Sequence, residues 1–287
     1  MIPLTDNNPT HRTPWVTRTL IAICVAVFLY QLLLNATDEH ILVLRAGAIP
    51  AVILGTRSLP PELMTVWPDW ASIISSLFLH GGFLHLAGNM MFLWVFGDNV
   101  EDAMGHWRFL TFYLLCGIAA TFAHIALDPD SVIPLIGASG AISGVLGAYI
   151  LLYPKAKVTA VLPLGFLFIP FRLAAWVVLG GWFGIQIFNV LVSGTSSNVA
   201  WMAHIGGFVV GMVAILIFKD RNHRLFTDGN DVYVGPWSRN TPDNLRFNRP
   251  YRRVPNEHAV PVTRRSRAKP AAEPDDHQGP WGPRPRQ

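Results

Sequence analysis

A serine and a histidine stand out because each lies inside a long apolar segment, where polar side chains are uncommon. Ser139 is part of the tetrapeptide GASG, at the start of a stretch that has no charged residue before Lys155. His204 lies in a similar stretch, in the pentapeptide AHIGG. Polar groups in such segments are costly and usually functional. A hydroxyl nucleophile beside an imidazole base is the pairing that nucleophilic catalysis requires.

The composition indicates a membrane protein. Of the 287 residues, 51% are hydrophobic and 14% are charged, whereas soluble domains average about 25% charged residues. A helix needs about 20 apolar residues to cross a bilayer, and six segments approach that length: 15–35, 82–97, 107–126, 137–153, 173–192 and 199–218. We therefore predict an all-α, polytopic membrane protein with six transmembrane helices in residues 15–218. An interfacial helix is expected from Trp70 to Leu79.

The fourth segment, 137–153, is short because Pro134 and Pro154 flank it and proline ends helices. At 1.5 Å per residue it extends about 25 Å, less than the roughly 30 Å hydrocarbon core of a bilayer. Its ends would meet lipid with unsatisfied backbone groups if longer helices did not surround it. The helix that begins near Ser139 is therefore expected inside the bundle.

Lysine and arginine placement indicates the orientation, since these residues concentrate on the cytoplasmic side of membrane proteins. One set of span flanks carries nine of them, and the opposite set carries only Arg45 and Arg57. Both termini are thus expected in the cytoplasm, including residues 1–14, and the loop 36–81 is expected outside.

Residues 219–287 are rich in proline, arginine, aspartate and asparagine, and they carry 14 Lys/Arg against 8 Asp/Glu. This composition predicts a disordered cytoplasmic tail. Its arginines could touch anionic lipid or nucleic acid. We favour a solvated tail that helps to set the topology, and we expect no nucleic-acid partner.

Ser139 and His204 are predicted to share one depth. The fourth and sixth spans run in the same direction, and each residue lies about 21 Å from the cytoplasmic end of its span. Small residues favour close approach of the two helices; they are Gly137, Gly140, Ala141, Gly144, Gly147 and Ala148 on the fourth span and Ala203, Gly207 and Gly211 on the sixth. Packing alone would explain the glycines but not a buried histidine beside them.

His85 and Asn89 in the second span are four residues apart and so share a helix face. Acyl transfer needs hydrogen-bond donors aimed at the carbonyl oxygen that becomes negative. These two side chains and the backbone N–H of Ser139 could supply such donors. For either side chain alone, the alternative is a polar contact between helices.

Other catalytic classes lack their residues. The sequence has no HExxH motif for a metalloprotease. Acidic residues are absent from the spans except at the cytoplasmic end of the second, so neither an aspartyl dyad nor a Ser-His-Asp triad is available. The histidines, including His80 and His124, match no familiar metal-binding spacing, and we expect no metal and no cofactor. Cys24 and Cys116 are expected to pack as small hydrophobic residues.

Residues 65–218 resemble the rhomboid family of intramembrane serine proteases. The matching segments are HGGFLHLAGN, GDNVEDAMGHWRFLTFYLLCG, GASG and AHIGGFVVG, and the start MIPLTDNNPT is similar to bacterial members. The resemblance implies a six-helix fold in a bacterial cytoplasmic membrane, with a water-filled cavity that opens outward and transmembrane proteins as substrates. It implies Ser139 as nucleophile, His204 as general base, and His85, Asn89 and the Ser139 amide as the oxyanion hole.

The resemblance also implies supporting residues. His80 and Gly137 would support the cavity, and Glu101 would be structural on the cytoplasmic side. Some members carry a tyrosine four residues after the serine that stacks on the histidine, whereas this chain has Ser143 there. One hypothesis is that Ser143 orients His204 through a hydrogen bond.

Two other classes of function stay open from the sequence. A catalytically inactive, rhomboid-like protein that binds membrane helices usually lacks the serine or the histidine, and both are present here. A small transporter would carry ionisable residues along a midplane path or inverted repeats, and the sequence shows neither. An intramembrane serine endopeptidase is therefore the favoured prediction.

Overall fold

The computed structural model describes residues 1–64, 66–164, 167–193 and 200–227. The helices are α1 (Trp15–Leu33), α2 (Ala36–Ala46), α3 (Pro50–Ile53), α4 (Ser72–Ser75), α5 (Phe83–Met104), α6 (His106–Leu127), α7 (Ser139–Leu152), α8 (Ala175–Ser193) and α9 (Trp201–Phe218). Single turns of 3₁₀ helix occur at Pro61–Leu63, Asp69–Ala71 and Ser76–Phe78. The strands are β1 (Ile2–Asp6), β2 (Lys157–Leu164) and β3 (Leu167–Ala174). The chain is mostly helical, as predicted.

Six of the helices occupy the predicted spans, so the helical membrane architecture is confirmed. Helices α1, α6, α8 and α9 are each long and apolar enough to cross a bilayer. Helix α5 reaches the length and apolar character of a span only together with the short helices at 69–78, from which it is bent by 82°. Those short helices are the predicted interfacial segment. Helix α7 has 14 residues and is therefore about 21 Å long.

Helix α7 is buried along most of its length and packs against α9 through glycines. A Cβ atom added to Gly207 of α9 would overlap the carbonyl oxygen of Gly140. One added to Gly211 would overlap the carbonyl oxygen of Gly144. Contact of this kind between two backbones requires residues without side chains. The predicted close packing of the fourth and sixth spans is confirmed.

The core of the bundle contains aromatic and small residues from α1, α5, α6 and α7. Phe96 and Tyr149 meet edge to face with ring centroids 4.9 Å apart, a favourable arrangement for aromatic pairs. Cys24 and Cys116 are fully buried and free. The prediction that they pack as small hydrophobic residues is confirmed.

A three-stranded antiparallel sheet lies at the end of α7 that is remote from Ser139, and the sequence analysis missed it. Its order is β1-β2-β3. Asp6 pairs with Val158, and Lys157 pairs with Ala174. The partner of β1 is β2, far along the chain, so this pairing leaves no local signal in the sequence. Strands β2 and β3 are neighbours in sequence, and their pairing was not predicted either. The all-α class therefore describes the bundle but not this addition.

The amino-terminal segment is part of the folded domain, because acidic residues of α5 bind it. Glu101 is fully buried and accepts hydrogen bonds from the Val16 amide at 3.0 Å and the Thr17 amide at 2.8 Å. The Thr17 hydroxyl also donates to Glu101 at 2.7 Å. A carboxylate here satisfies amides that have no partner inside α1 and faces the positive end of the helix dipole. Consequently α5 continues seven residues beyond its predicted end at residue 97.

The predicted outer loop 36–81 contains α2, α3 and a 3₁₀ turn in addition to the predicted helical segment near 70–79. The side chain of Asn35 caps α2 by accepting a hydrogen bond from the Asp38 amide at 3.0 Å. After α2, Ala48 forms an antiparallel bridge with Leu135. This bridge joins the loop to the segment that precedes α7.

The first residues of the predicted disordered tail are ordered. The amides of Phe226 and Thr227 donate to the carbonyl oxygens of Leu151 and Leu152 at 2.8 and 2.9 Å. Carbonyl groups in the last turn of a helix have no partner within it, so this segment completes the end of α7. The folded part thus extends past the predicted boundary at residue 218. The rest of the predicted tail, from residue 228, lies outside the described residues.

Candidate active site

A cavity of about 530 Å³ opens among the amino-terminal ends of α5, α7 and α9. His85 and Asn89 reach it from α5, Ser139 from α7 and His204 from α9. The three helices begin on the same side of the bundle, so residues near their starts share one depth. The structure thus brings together the four residues to which the sequence analysis gave direct chemical roles.

Ser139 Oγ lies 2.8 Å from His204 Nε2, the distance of a good hydrogen bond. Ser139 is also the first residue of α7. The amides of a first helical turn have no partner within the helix, and the positive end of the helix dipole is located there. A hydroxyl that is hydrogen-bonded to an imidazole, beside unpaired amides, can act as a nucleophile at a carbonyl.

Side chains of α8 contact the His204 imidazole on the side away from Ser139. His204 Nδ1 is hydrogen-bonded to Gln186 Oε1 at 2.9 Å, and the Trp182 ring lies with its centroid 5.8 Å from the imidazole. The hydroxyl of Ser143 instead donates to the carbonyl oxygen of Ser139 at 2.6 Å. The hypothesis that Ser143 orients His204 is therefore wrong. Serine inside a helix commonly bonds the carbonyl four residues earlier.

The contacts of His85 indicate which ring nitrogen carries the proton. The amide of Gly81 donates to His85 Nδ1 at 3.4 Å, which places the proton of a neutral ring on Nε2. A Cβ atom at Gly137 would lie 2.7 Å from that Nε2. Gly137 also has φ of +117°, which glycine adopts readily. Glycine at 137 therefore lets a ring N–H approach the backbone next to Ser139.

Asn89 offers a second donor to the same place. Its side chain is buried, and its Nδ2 atom has no hydrogen-bond partner among the described residues. The Nδ2 atom lies 3.6 Å from the Cβ position of Gly137. A buried donor that lacks an acceptor costs free energy, so a substrate oxygen placed here would be stabilised.

His80 lies behind the cavity wall. It is fully buried, and its ring meets the His85 ring edge to face at 5.3 Å. The side chain of Gln31 in α1 binds the main chain of His80 twice. Its Nε2 donates to the His80 carbonyl oxygen and its Oε1 accepts from the His80 amide, each at 3.1 Å. His80 thus packs against His85 without contacting Ser139, a position that fits the supporting role implied for it.

The sequence analysis missed Gln186 and Trp182. A signal was present, because Gln186 is a polar amide inside a helix of 19 residues that is otherwise mostly apolar. Such a residue is costly in a membrane for the same reason as Ser139 or His204. Sequence patterns single out nucleophiles, bases and hydrogen-bond donors, whereas the side chain of Gln186 bonds His204 and a carbonyl oxygen of its own helix.

Comparison with known proteins identifies the family. The profile of the Rhomboid domain matches residues 68–221, just over half of the chain. Rhomboid protease GluP of Bacillus subtilis is 32% identical over 146 residues, which are 51% of this chain and 25% of GluP. The mitochondrial Rhomboid protein 1 of Saccharomyces cerevisiae is 32% identical over 55% of this chain and 46% of that protein. Rhomboid protease AarA of Providencia stuartii is 25% identical over 73% of this chain and 74% of AarA.

The chain thus spans a quarter of GluP and less than half of the yeast protein. The matched residues 68–221 include helices α5 to α9 and the cavity between them. The apolar helices and the family match together identify an integral membrane protein. The chain belongs to the rhomboid family.

Proposed function

We propose that this protein is an intramembrane serine endopeptidase that cleaves transmembrane segments of other membrane proteins. The observation that carries the proposal is the 2.8 Å hydrogen bond between Ser139 Oγ and His204 Nε2 in a cavity among apolar helices. Two of the relatives, GluP and AarA, are named rhomboid proteases. Their names support the reaction class.

In the proposed reaction, Ser139 Oγ attacks the carbonyl carbon of a substrate peptide bond. His204 Nε2 takes the hydroxyl proton as the new C–O bond forms. His204 then gives that proton to the leaving amide nitrogen as the C–N bond breaks, and the acyl group stays on Ser139. A water molecule in the cavity attacks the ester, with His204 again as general base.

The oxygen that becomes negative would accept hydrogen bonds from three donors. These are His85 Nε2–H, Asn89 Nδ2–H and the backbone N–H of Ser139. His85 Nε2 and Asn89 Nδ2 both lie near Gly137, which has no side chain to separate them from a substrate oxygen, and Ser139 follows two residues later in the chain. Donors fixed in advance around a developing charge are often the largest contribution to catalysis. In this scheme His80 and Ser143 support the cavity and contact no reacting atom.

A transmembrane substrate must partly unwind, because a hydrogen-bonded helix hides its carbonyl groups. Helix-destabilising glycine or proline and a small residue at the cleavage site are expected in substrates. We place both termini in the cytoplasm from the distribution of lysine and arginine, and the resemblance to bacterial members of the family supports a bacterial cytoplasmic membrane. The catalytic domain would comprise the six spans in residues 15–218.

The purified full chain in liposomes, mixed with a single-span test substrate, tests the proposal. Wild type should cut within or beside the span. Ser139→Ala and His204→Ala should each lower the rate by about 10³-fold or more, because each removes a member of one catalytic unit. Cleavage that survives Ser139→Ala would contradict the assignment. Substrate binding without cleavage by wild type would instead indicate the non-catalytic binder of membrane helices.

A further inference from the structure

Gln186 links the proposed base to α8 through hydrogen bonds at both ends of its amide. Its Oε1 atom lies 2.9 Å from His204 Nδ1. Its Nε2 atom donates to the carbonyl oxygen of Trp182 at 3.1 Å. The side chain is only 3% exposed. Both polar atoms of this buried amide are thus occupied, which fixes its position.

The direction of each hydrogen bond follows from the chemistry of the groups. The carbonyl oxygen of Trp182 can only accept, so the amide atom facing it is the nitrogen of Gln186. The oxygen of Gln186 therefore faces His204, and an amide oxygen can only accept. His204 must then carry its proton on Nδ1, which leaves Nε2 unprotonated and able to accept the proton of Ser139 Oγ.

We infer that Gln186 is a positioning residue that selects the Nδ1–H tautomer of His204 and orients its ring toward Ser139. The inference rests on the proposed function. In serine proteases of the Ser-His-Asp type, a carboxylate holds the histidine in this way. Here a neutral amide occupies the equivalent side of the ring, so the histidine is oriented without burying a negative charge among apolar helices.

Two neighbouring aromatic rings also contact the His204 imidazole and limit its rotation. The centroid of Trp182 lies 5.8 Å from that of the imidazole at 38°, and that of Trp201 lies 6.0 Å away at 79°. Neither ring contact distinguishes the two imidazole nitrogens. The choice of tautomer therefore depends on Gln186.

Three variants of the full chain separate tautomer selection from simple packing. Gln186→Leu removes the acceptor and should lower kcat by about 10²-fold with KM nearly unchanged, because Gln186 does not line the substrate cavity. Gln186→Glu keeps an acceptor and adds charge, so it should retain activity. Its acidic limb should move to higher pH, since a carboxylate favours the protonated imidazole. Asn189→Leu is the matched control on the same helix and should behave as wild type.

A second measurement does not depend on catalysis. Nitrogen NMR of full-length protein labelled at its ten histidines, with His204→Ala used for assignment, reports which ring nitrogen of His204 is protonated. We expect Nδ1–H in wild type and in Gln186→Glu, and loss of this preference in Gln186→Leu. Protonation on Nε2 in wild type would overturn the inference, as would a Gln186→Leu protein with unchanged tautomer and kcat.

Failure of the proposed function and failure of the role inferred for Gln186 give different results. If wild type cleaves no substrate, the proposed function fails, and the NMR measurement still decides the role of Gln186. If Gln186→Leu does not fold, the wild-type tautomer and the pH profile of Gln186→Glu decide it.

Discussion

At the scale of single residues, the site is defined by donors that lack acceptors. Asn89 Nδ2 has no partner among the described residues, and His85 directs an N–H toward Gly137. Elsewhere in the bundle, buried polar groups such as Glu101 and Gln186 are hydrogen-bonded. Other buried polar atoms, such as the Tyr113 hydroxyl, also have no partner among the described residues, but Asn89 and His85 are the two donors that lie beside Gly137 in the cavity.

Replacement of these donors should affect the transition state more than substrate binding. We expect Asn89→Ala and His85→Ala each to lower kcat by about 10²-fold, the usual effect of one lost oxyanion donor, with KM changed little. Steady-state kinetics in liposomes measure both parameters. Asn35→Ala, which alters an amide outside the cavity at the α2 cap, is the control. A variant that raises KM and leaves kcat intact would assign Asn89 or His85 to substrate binding instead.

The sequence predicted the proposed catalytic residues better than the residues that hold them in place. Ser139 and His204 were recognisable because a hydroxyl and an imidazole are unusual in apolar segments. One hypothesis gave His204 a hydrogen bond to Ser143, which is close in sequence to Ser139, whereas His204 Nδ1 is hydrogen-bonded to Gln186 Oε1 on another helix. Which side chains meet across helices depends on helix rotation, and rotation is set by packing that one sequence does not display.

At the scale of elements, the contact between α7 and α9 decides whether Ser139 and His204 can meet. Gly207 and Gly211 of α9 lie directly on the backbone of α7. The two catalytic candidates are near the starts of these same helices. Any side chain added in the contact must separate the helices or displace one of them.

Gly211→Val should therefore reduce both activity and thermal stability. The added side chain would overlap the backbone of Gly144, and overpacking of this kind costs about 1–3 kcal/mol or more. Activity should fall by more than 10-fold, because the hydrogen bond between Ser139 and His204 spans the separated helices. Gly184→Val in α8 is the matched control, since an added Cβ there meets no described atom within 4 Å. Equal losses in the two variants would contradict this account.

Five of the six predicted spans agree with the observed helices within two residues at each end. The exception is α5, which continues to Met104. Its charged residues, including Asp98, Glu101 and Asp102, suggested that the helix had left the membrane. In the structure Glu101 and Asp102 face the amino-terminal segment, and Asp102 accepts hydrogen bonds from the amides of residues 11 and 12. Hydropathy measures apolarity along the chain, so it cannot detect a helix that continues by binding another segment.

At the scale of the whole molecule, the amino-terminal strand closes the end of the bundle opposite the cavity. Asp6 accepts hydrogen bonds from the Tyr149 hydroxyl of α7 and from Asn99 Nδ2 of α5, the latter at 3.2 Å. Asn8 also donates to Asn99. Burial raises the pKa of the Asp6 carboxyl to about 7, and the nearby charge of Asp98 adds to this. The strand is therefore attached to two spans through one acidic group.

This raised pKa predicts how attachment of the strand depends on pH. Asp6 keeps its proton to about pH 7 when buried but loses it near pH 4 when exposed. The protonated Asp6 carboxyl therefore stabilises the attached strand fully below about pH 4, and this stabilisation is lost as pH rises through 7. The slope approaches about 1.4 kcal/mol per pH unit, the value for one proton. Asp6→Asn should flatten this dependence.

Hydrogen exchange of the β1 amides, corrected for the intrinsic rate at each pH, measures the effect. Wild type should become less protected between pH 5 and 7, and Asp6→Asn should lose less protection over the same range. Asp130→Asn, at an exposed loop position, is the control and should follow wild type. Protection of β1 that rises with pH in wild type would show that Asp6 is not the group that titrates.

The pairing of β1 with β2 also has a consequence for biosynthesis. Residues 2–6 leave the ribosome before their partners at 158–161, which are made about 150 residues later, roughly 8–30 s at ordinary translation rates. This segment must wait, unpaired, while α1, α5, α6 and α7 enter the membrane. Only then can it dock, so its attachment would mark the completion of the first four predicted spans of the bundle and not the beginning of folding.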